Sequence, residues 1–175
     1  KRPRKLKFPV IVKSLTQEAS IGISQASVVE DETKLRERVQ FIHESIGTDA
    51  IAERFIDGRE LYVGVAGNER LQVFPIWEIN LSKLPDGAHR IATDRVKWNV
   101  EYQKKHEIET NAATDLAETL SEQIQRVSKR VYRALEMSGY ARMDFRLDAH
   151  GNFFVMEANA NPQLAFGEDF AESAE

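Results

Sequence analysis

Residues 140–162 read YARMDFRLDAHGNFFVMEANANP, and this stretch decides the class of fold. Arg142, Asp144 and Arg146 alternate with Met143, Phe145 and Leu147, the period of a strand with one polar and one apolar face. Glu157 and Asn159 stand two residues apart after the apolar run FFVM (153–156). His150 and Gly151 lie between the two runs at a turn, so 140–147 and 153–157 read as a hairpin. A tight hairpin sets Asp144 level with Glu157. Two carboxylates and an amide oxygen on one sheet surface are hard ligands of the kind magnesium accepts, and Arg142 beside them suits a phosphate. A solvated strand with cross-strand ion pairs uses the same residue types, but the apolar flanks favour a packed sheet.

Upstream, Leu116, Leu120, Ile124, Val127, Val131 and Leu135 form one helical stripe that stops at Gly139. Residues 80–111 are polar and irregular, with Pro85 and Gly87, and read as a long functional loop with short helical pieces. Residues 60–66 and 71–77 read as strands set off by Asp57-Gly58 and Gly67-Asn68. Residues 50–55 read as a short strand. Leu35, Val39, Ile42 and Ile46 make a second helical face between an Asp31 N-cap and Gly47. FPVIVK (8–13) is a buried strand ending on Lys13, 14–20 a small polar loop, and 21–24 extended again. The order is mixed α+β, with two helices and about seven strands.

Composition narrows the chemistry. The 175 residues hold 24 Lys+Arg and 28 Asp+Glu, and five of the cations fall in the opening KRPRKLK. That leaves 19 cations against 28 acids in the body, a balance that opposes broad nucleic-acid binding. The opening reads as a basic linker. With no cysteine there is no thiol nucleophile, disulfide or cysteine-held metal, which fits a cytoplasmic protein. No apolar run approaches a membrane span. The four histidines make no ligand spacing, and no GxSxG or GxxxxGK occurs.

Two further segments could carry chemistry. Lys13 faces a small-residue loop whose backbone N–H groups could close over a phosphate. Lysines at strand ends also snorkel to the surface. Glu53 and Glu60 flank Phe55 and Ile56, so a carboxylate, free strand-end backbone and apolar cover meet where an adenine could be read. Two surface glutamates beside Arg54 and Arg59 would look the same.

Taken in order, FPVIVK (8–13), QEASIGIS (17–24), ERFIDGRE (53–60), and RMDF (142–145) with VMEANANP (155–162) resemble the ATP-grasp superfamily, most closely D-alanine–D-alanine ligase-like carboxylate–amine ligases. The resemblance covers 8–164. It implies an α+β ATP-grasp fold, here partial, with two lobes of antiparallel or mixed sheets and packed helices, the nucleotide between them. Residues 1–7 would be linker, 8–55 the smaller lobe and 56–175 the larger lobe with the metal site. Lys13 would contact nucleotide phosphates under the QEASIGIS loop with Ser20. Glu53 would meet the adenine amino group, the backbone at Phe55 and Ile56 the ring, and Glu60 the ribose. Asp144, Glu157 and Asn159 would bind two magnesium ions, with manganese as a substitute, and Arg142 the transferred phosphate. Lys104 is favoured over Lys97 and Lys105 as the further phosphate-contacting lysine.

The implied reaction is ATP-dependent joining of a small-molecule carboxylate to an amine, or to a thiol, through an acyl phosphate. A non-catalytic nucleotide-binding module of a larger regulatory protein is the alternative, and an unrelated α+β interaction domain a third reading. The implied partners are the two substrates and an N-terminal domain of the same polypeptide, with neither nucleic acid nor membrane; a homodimer is compatible. The departures are a start at the Lys13 strand, Ala19 where the ligases carry a substrate-facing serine, and ANPQL (160–164) in place of a glycine-containing turn. The first implies a fragment, expected to fold without turning ATP over alone. The others put a D-alanine substrate in doubt.

Overall fold

The computed structural model describes residues 6–17 and 20–175. The basic linker through Lys5 and the Ala19 departure therefore lie outside the described residues. The strands are β1 (Val10–Ser14), β2 (Val28–Val29), β3 (Ala50–Arg54), β4 (Arg59–Ala66), β5 (Gln72–Ile79), β6 (Thr110–Ala112), β7 (Tyr140–Leu147) and β8 (Phe153–Asn159). The helices are α1 (Glu32–Phe41), α2 (Asp94–Trp98), α3 (Val100–Lys105), α4 (Glu118–Ala134) and α5 (Asp169–Glu172). Among the described residues no helix is long and apolar enough to cross a membrane.

Two compact units emerge, Lys1–Ile56 with Leu81–Ile108, and Asp57–Asn80 with Glu109–Glu175. The sequence reading kept 56–175 in one lobe; instead 81–108 cluster with the first unit. The cause is packing. Ile91 is buried with Val28 and Phe55, and the Asp94 N–H donates to the Ile23 carbonyl at 3.1 Å.

The first unit holds an antiparallel sheet in the order β2-β1-β3. On β1, Val10 and Val12 alternate into a core with Val29, Leu35 and Ile42, and the intervening Ile11 packs with the Val28–Phe55–Ile91 cluster. Asp31 caps α1 as expected, its side chain accepting from the Lys34 N–H at 2.8 Å. The helix runs on through a wider turn, Ile42–Ile46, before stopping at Gly47. Residues 21–24 form no strand. Ser20 and Gly22 take left-handed φ values of 63° and 73°, which breaks a strand there, and a single helical turn follows at Gln25–Ser27.

The second unit is a five-stranded antiparallel sheet, order β6-β5-β4-β7-β8. Leu61, Val63, Val65, Ala141, Met143, Phe145 and Leu147 face one side, where Ile124 and Tyr132 of α4 complete the core. The stripe that predicted α4 is right in its middle and wrong at its end. Leu135 is exposed, because Glu136 turns to φ 52° and stops the helix. Tyr132 takes the inner place, its hydroxyl donating to the Gly67 carbonyl at 2.8 Å. On β4, Glu60 to Val65 are all buried, so both faces of this central strand are covered. Asp57-Gly58 is not a hairpin turn, for β3 and β4 lie in different sheets. Gly58 is required by space: at φ 147°, an added Cβ would sit 2.0 Å from the Leu147 carbonyl oxygen.

Candidate functional site

The face of the second sheet away from α4 carries the polar cluster. β7 and β8 pair antiparallel, and Asp144 lies opposite Glu157, with Arg142 opposite Asn159. The register was expected, but not what produces it. Phe145 pairs with Val155, so a regular ladder would bring Met156 across from Asp144. One extra residue in β8 forms a bulge there. It reverses the parity of the strand. Phe153 and Ala158 both pack on the core, and Glu157 and Asn159 share the polar face with Asp144. Val155 and Met156 are exposed at this irregularity, although their apolar run suggests packing.

Arg142 is the centre of the cluster. Its Nε and Nη2 donate side-on to the two oxygens of Asp144 at 2.7 and 2.8 Å. Its Nη1 donates to Asp169 of α5 at 2.8 Å, and its guanidinium carbon stands 4.4 Å from the centre of the Tyr62 ring. Burial works to lower the Arg142 pKa, but the hydrogen-bonded carboxylate of Asp144 and the charge of Asp169 outweigh it, so the net shift is upward. The guanidinium stays charged, and the tension between burial and pairing falls on the carboxyl. Burial pushes Asp144 up to about 7, against the pull of Arg142 and with help from Glu157 and Glu60.

Glu60 sits on the same face of β4 as Tyr62. It is buried, accepts from the Tyr62 hydroxyl at 2.9 Å and meets Arg146 Nη1 at 3.4 Å. Burial, then the charges of Glu60 and Asp144, drive the Tyr62 phenol well above its usual pKa, which keeps it a donor. Glu60, expected at the ribose, is held here by Tyr62 and Arg146.

The donors on this face are of the kind magnesium accepts. Among the described residues there is no cluster of three or more His, Cys, Asp or Glu suited to a metal; the set is two carboxylates and an amide. Asp144 is buried beside the exposed Glu157, and the Asn159 side-chain oxygen accepts from the Asn161 N–H at 2.8 Å. All are hard oxygens on one face, and each carboxylate oxygen can accept more than one bond. The chemistry fits a hard divalent cation, which would have to share the Asp144 oxygens with Arg142.

In the first unit, Lys13 and Glu53 meet at 2.6 Å, on the side of β1 away from Val10 and Val12. Ser20, expected at the nucleotide, donates its hydroxyl to the Ala92 carbonyl at 2.8 Å. Phe55 was expected to cover an adenine. Its ring is instead a core contact, edge-on to His89 with centroids 5.2 Å apart. Ile56 is half-buried, Lys97 is half-buried, and Lys104 and Lys105 are exposed at the end of α3. Buried Arg38 was not expected: it donates to the Gly22 carbonyl and to Ser27 Oγ, and burial lowers its pKa.

Sequence reasoning missed Tyr62, Asp169 and Arg38, and gave Arg146 a face but no role. Period two links Tyr62 to Glu60, a signal that was available. Nothing local points to Asp169 or Arg38, whose partners lie 27 and 16 residues away.

Comparison with known proteins completes the description. The family model described as D-ala D-ala ligase C-terminus matches residues 1–174. A D-alanine–D-alanine ligase of Desulforudis audaxviator is 32% identical over 97% of this chain and 50% of its own length. An uncharacterized protein of Sinorhizobium fredii is 31% identical, over 91% of this chain and 45% of its own. Among solved structures, the VanG D-Ala:D-Ser ligase from Enterococcus faecalis aligns with a TM-score of 0.73 at 22% identity, covering 97% of this chain and 45% of that one. The D-alanine–D-alanine ligase from Bacillus anthracis complexed with ATP aligns at 0.70 and 23%, over 97% and 47%. The chain spans about half the length of the curated relatives it matches.

Proposed function

This chain belongs to the D-ala D-ala ligase C-terminal family, with an ATP-grasp fold, and from that premise we propose that the polypeptide carrying it is an ATP-dependent carboxylate–amine ligase. The observation that supports this reading is the polar face on which Arg142, fixed by Asp144, stands beside Glu157 and Asn159.

In the proposed reaction a carboxylate oxygen of the acid substrate attacks the γ-phosphorus of ATP. The bond from that phosphorus to the bridging oxygen breaks, ADP leaves, and an acyl phosphate forms. The amine nitrogen then attacks the acyl carbon, phosphate departs, and the nitrogen gives up a proton. Phosphoryl transfer asks the protein for positioning and for neutralisation of charge rather than for a nucleophile, which agrees with a chain without cysteine. Arg142 offers its remaining N–H groups to the phosphoryl group in flight. Lys13 neutralises nucleotide phosphate, with Ser20 and its loop above it, and Lys104 adds a second cation. Glu53 and the backbone at Phe55 and Ile56 hold the adenine. Asp144, Glu157 and Asn159 hold magnesium, two ions with manganese as substitute, which supplies charge neutralisation on phosphate oxygens. The acid and amine are of amino-acid type. Residues 160–164, ANPQL, leave D-alanine as one member of that set.

The test is ADP release by the full-length protein with ATP, magnesium and a panel of D- and L-amino acids and short peptides. ADP release should require both an acid and an amine. Asp144→Asn and Glu157→Gln should each lower kcat by ~100-fold or more, and the exposed Glu157→Gln should leave the circular dichroism melt nearly unchanged. The 175 residues alone, about half the length of the relatives, should fold, bind ATP weakly and release no ADP. Tight ATP binding without ADP release from any pair would favour a nucleotide-binding module, and no ATP binding at all would remove the reading.

A further inference from the structure

The last helix of the described chain returns to the polar face, and it does so through one residue pair. Phe170 packs edge-on against Phe74 with centroids 5.4 Å apart and stands 5.7 Å from the Tyr140 ring. Gly64 lies beneath it, where an added Cβ would come within 3.1 Å of Phe170. The turn is closed from both sides, by Ser173 Oγ donating to the Phe170 carbonyl at 2.9 Å and by the Gly167 N–H donating to Glu172 at 2.7 Å. Asp169 precedes Phe170, so the seat of that ring fixes the place of this carboxylate. Its Oδ2 accepts from Arg142 Nη1, and the two side chains are only 12% and 14% exposed.

A guanidinium carries five N–H groups. In Arg142, Asp144 takes two of them side-on and Asp169 takes a third from Nη1. Two remain for a ligand. Asp144 stands two residues away on the same strand, so that pair alone shares the strand's freedom to twist. Asp169 holds the group from a separate element, and the Tyr62 ring supports its face at 4.4 Å.

We infer that Asp169 is a positioning residue for Arg142, fixing the direction in which its two remaining N–H groups meet the phosphoryl group in transfer. The inference rests on the role proposed above for Arg142. A second carboxylate on one guanidinium offsets part of its attraction for phosphate. Asp169 therefore gives Arg142 direction at the expense of charge, as a positioning residue does and a phosphate ligand does not.

The experiment uses the full-length protein and four variants, Asp169→Ala, Asp169→Asn, Asp169→Glu and Arg142→Lys, with the double variant of Arg142→Lys and Asp169→Ala. Asp169→Ala should lower kcat ~10- to 100-fold, with KM for ATP changing far less, because the lost contact acts in the transition state. Asp169→Glu should recover much of the rate. In the Arg142→Lys background, Asp169→Ala should have little further effect, a coupling that a purely structural helix contact would not produce. Asp169→Asn, of the same size, stands in if the alanine variant melts early. The second readout is arginine side-chain nitrogen NMR of the nucleotide-free protein, with the Arg142 signal identified by its loss in Arg142→Lys. Guanidinium rotation should be slow in the wild type and in Asp169→Glu, and faster in Asp169→Ala. Wild-type turnover and unchanged rotation in Asp169→Ala, with Arg142→Lys impaired, would overturn the inference and leave the ligase reading standing. No ADP release by the wild type, with rotation responding as expected, would overturn the ligase reading and keep the positioning contact.

Discussion

Burial and pairing pull in opposite directions on the carboxyl of Asp144, and pH is the lever that separates them. Its ordinary pKa of 3.8 rises to about 7 in the folded chain, through burial first and then the neighbouring charges of Glu157 and Glu60, against Arg142. Between those two values the folded protein keeps a proton that the unfolded chain has lost. Stability linked to this group is thus complete below 3.8 and lost as pH rises through about 7. The swing is on the order of a few kcal/mol. Urea unfolding of the metal-free protein at pH 5 and pH 8, compared with Asp144→Asn, should show the wild type losing more stability on the way up than the variant. Other titrating groups cancel in that comparison. Equal pH dependence in the two proteins would show that the carboxyl is not desolvated.

Elements set what residues can reach. The hairpin of β7 and β8 works as a site because one extra residue near Val155 and Met156 turns Glu157 and Asn159 onto the face of Asp144. Helix α5 is four residues long, too short to hold itself, so its position depends on Phe170 seated over Gly64 and against Phe74. A methyl group at Gly64 would stand 2.5 Å from the Phe74 ring, and that ring is backed by Phe170. Gly64→Ala should therefore cost ~1–3 kcal/mol by overpacking, measured by urea unfolding. It should also loosen α5, seen as faster amide exchange at residues 170–173. A variant with wild-type stability and unchanged exchange would mean that the rings yield without moving the helix.

At the scale of the whole molecule, each compact unit has its own core, Val10, Val12, Val29, Leu35 and Ile42 in one and the sheet with α4 in the other. Ile124 is fully buried where α4 meets the sheet. Ile124→Ala should cost ~2–5 kcal/mol through lost burial and a residual cavity, and protection from amide exchange should fall in β4 and β7 more than in β1. Loss spread equally over β1 would show that the two cores unfold as one. The larger hairpin, the Asp31 cap and the middle of α4 were legible because each rests on a short period or a turn signal. Residues 81–108 were misplaced because Ile91 finds its partners, Val28 and Phe55, more than thirty-five residues earlier. Glu60 was read as open because its partner Arg146 lies on a strand 86 residues on.

By itself, then, the sequence determined the alternation that makes β7 a two-faced strand, the helical faces, and the order and spacing of the four motifs. These are properties of neighbours along the chain, where periodicity and turn chemistry act. Only the tertiary structure decided that a bulge carries Glu157 to the side of Asp144, that Glu60 closes on Arg146 and Tyr62, and that Asp169 returns to grip Arg142. Each of those depends on which distant residues come to share a surface, and the free energy that selects them is gained only when the sheet and its covering elements have packed.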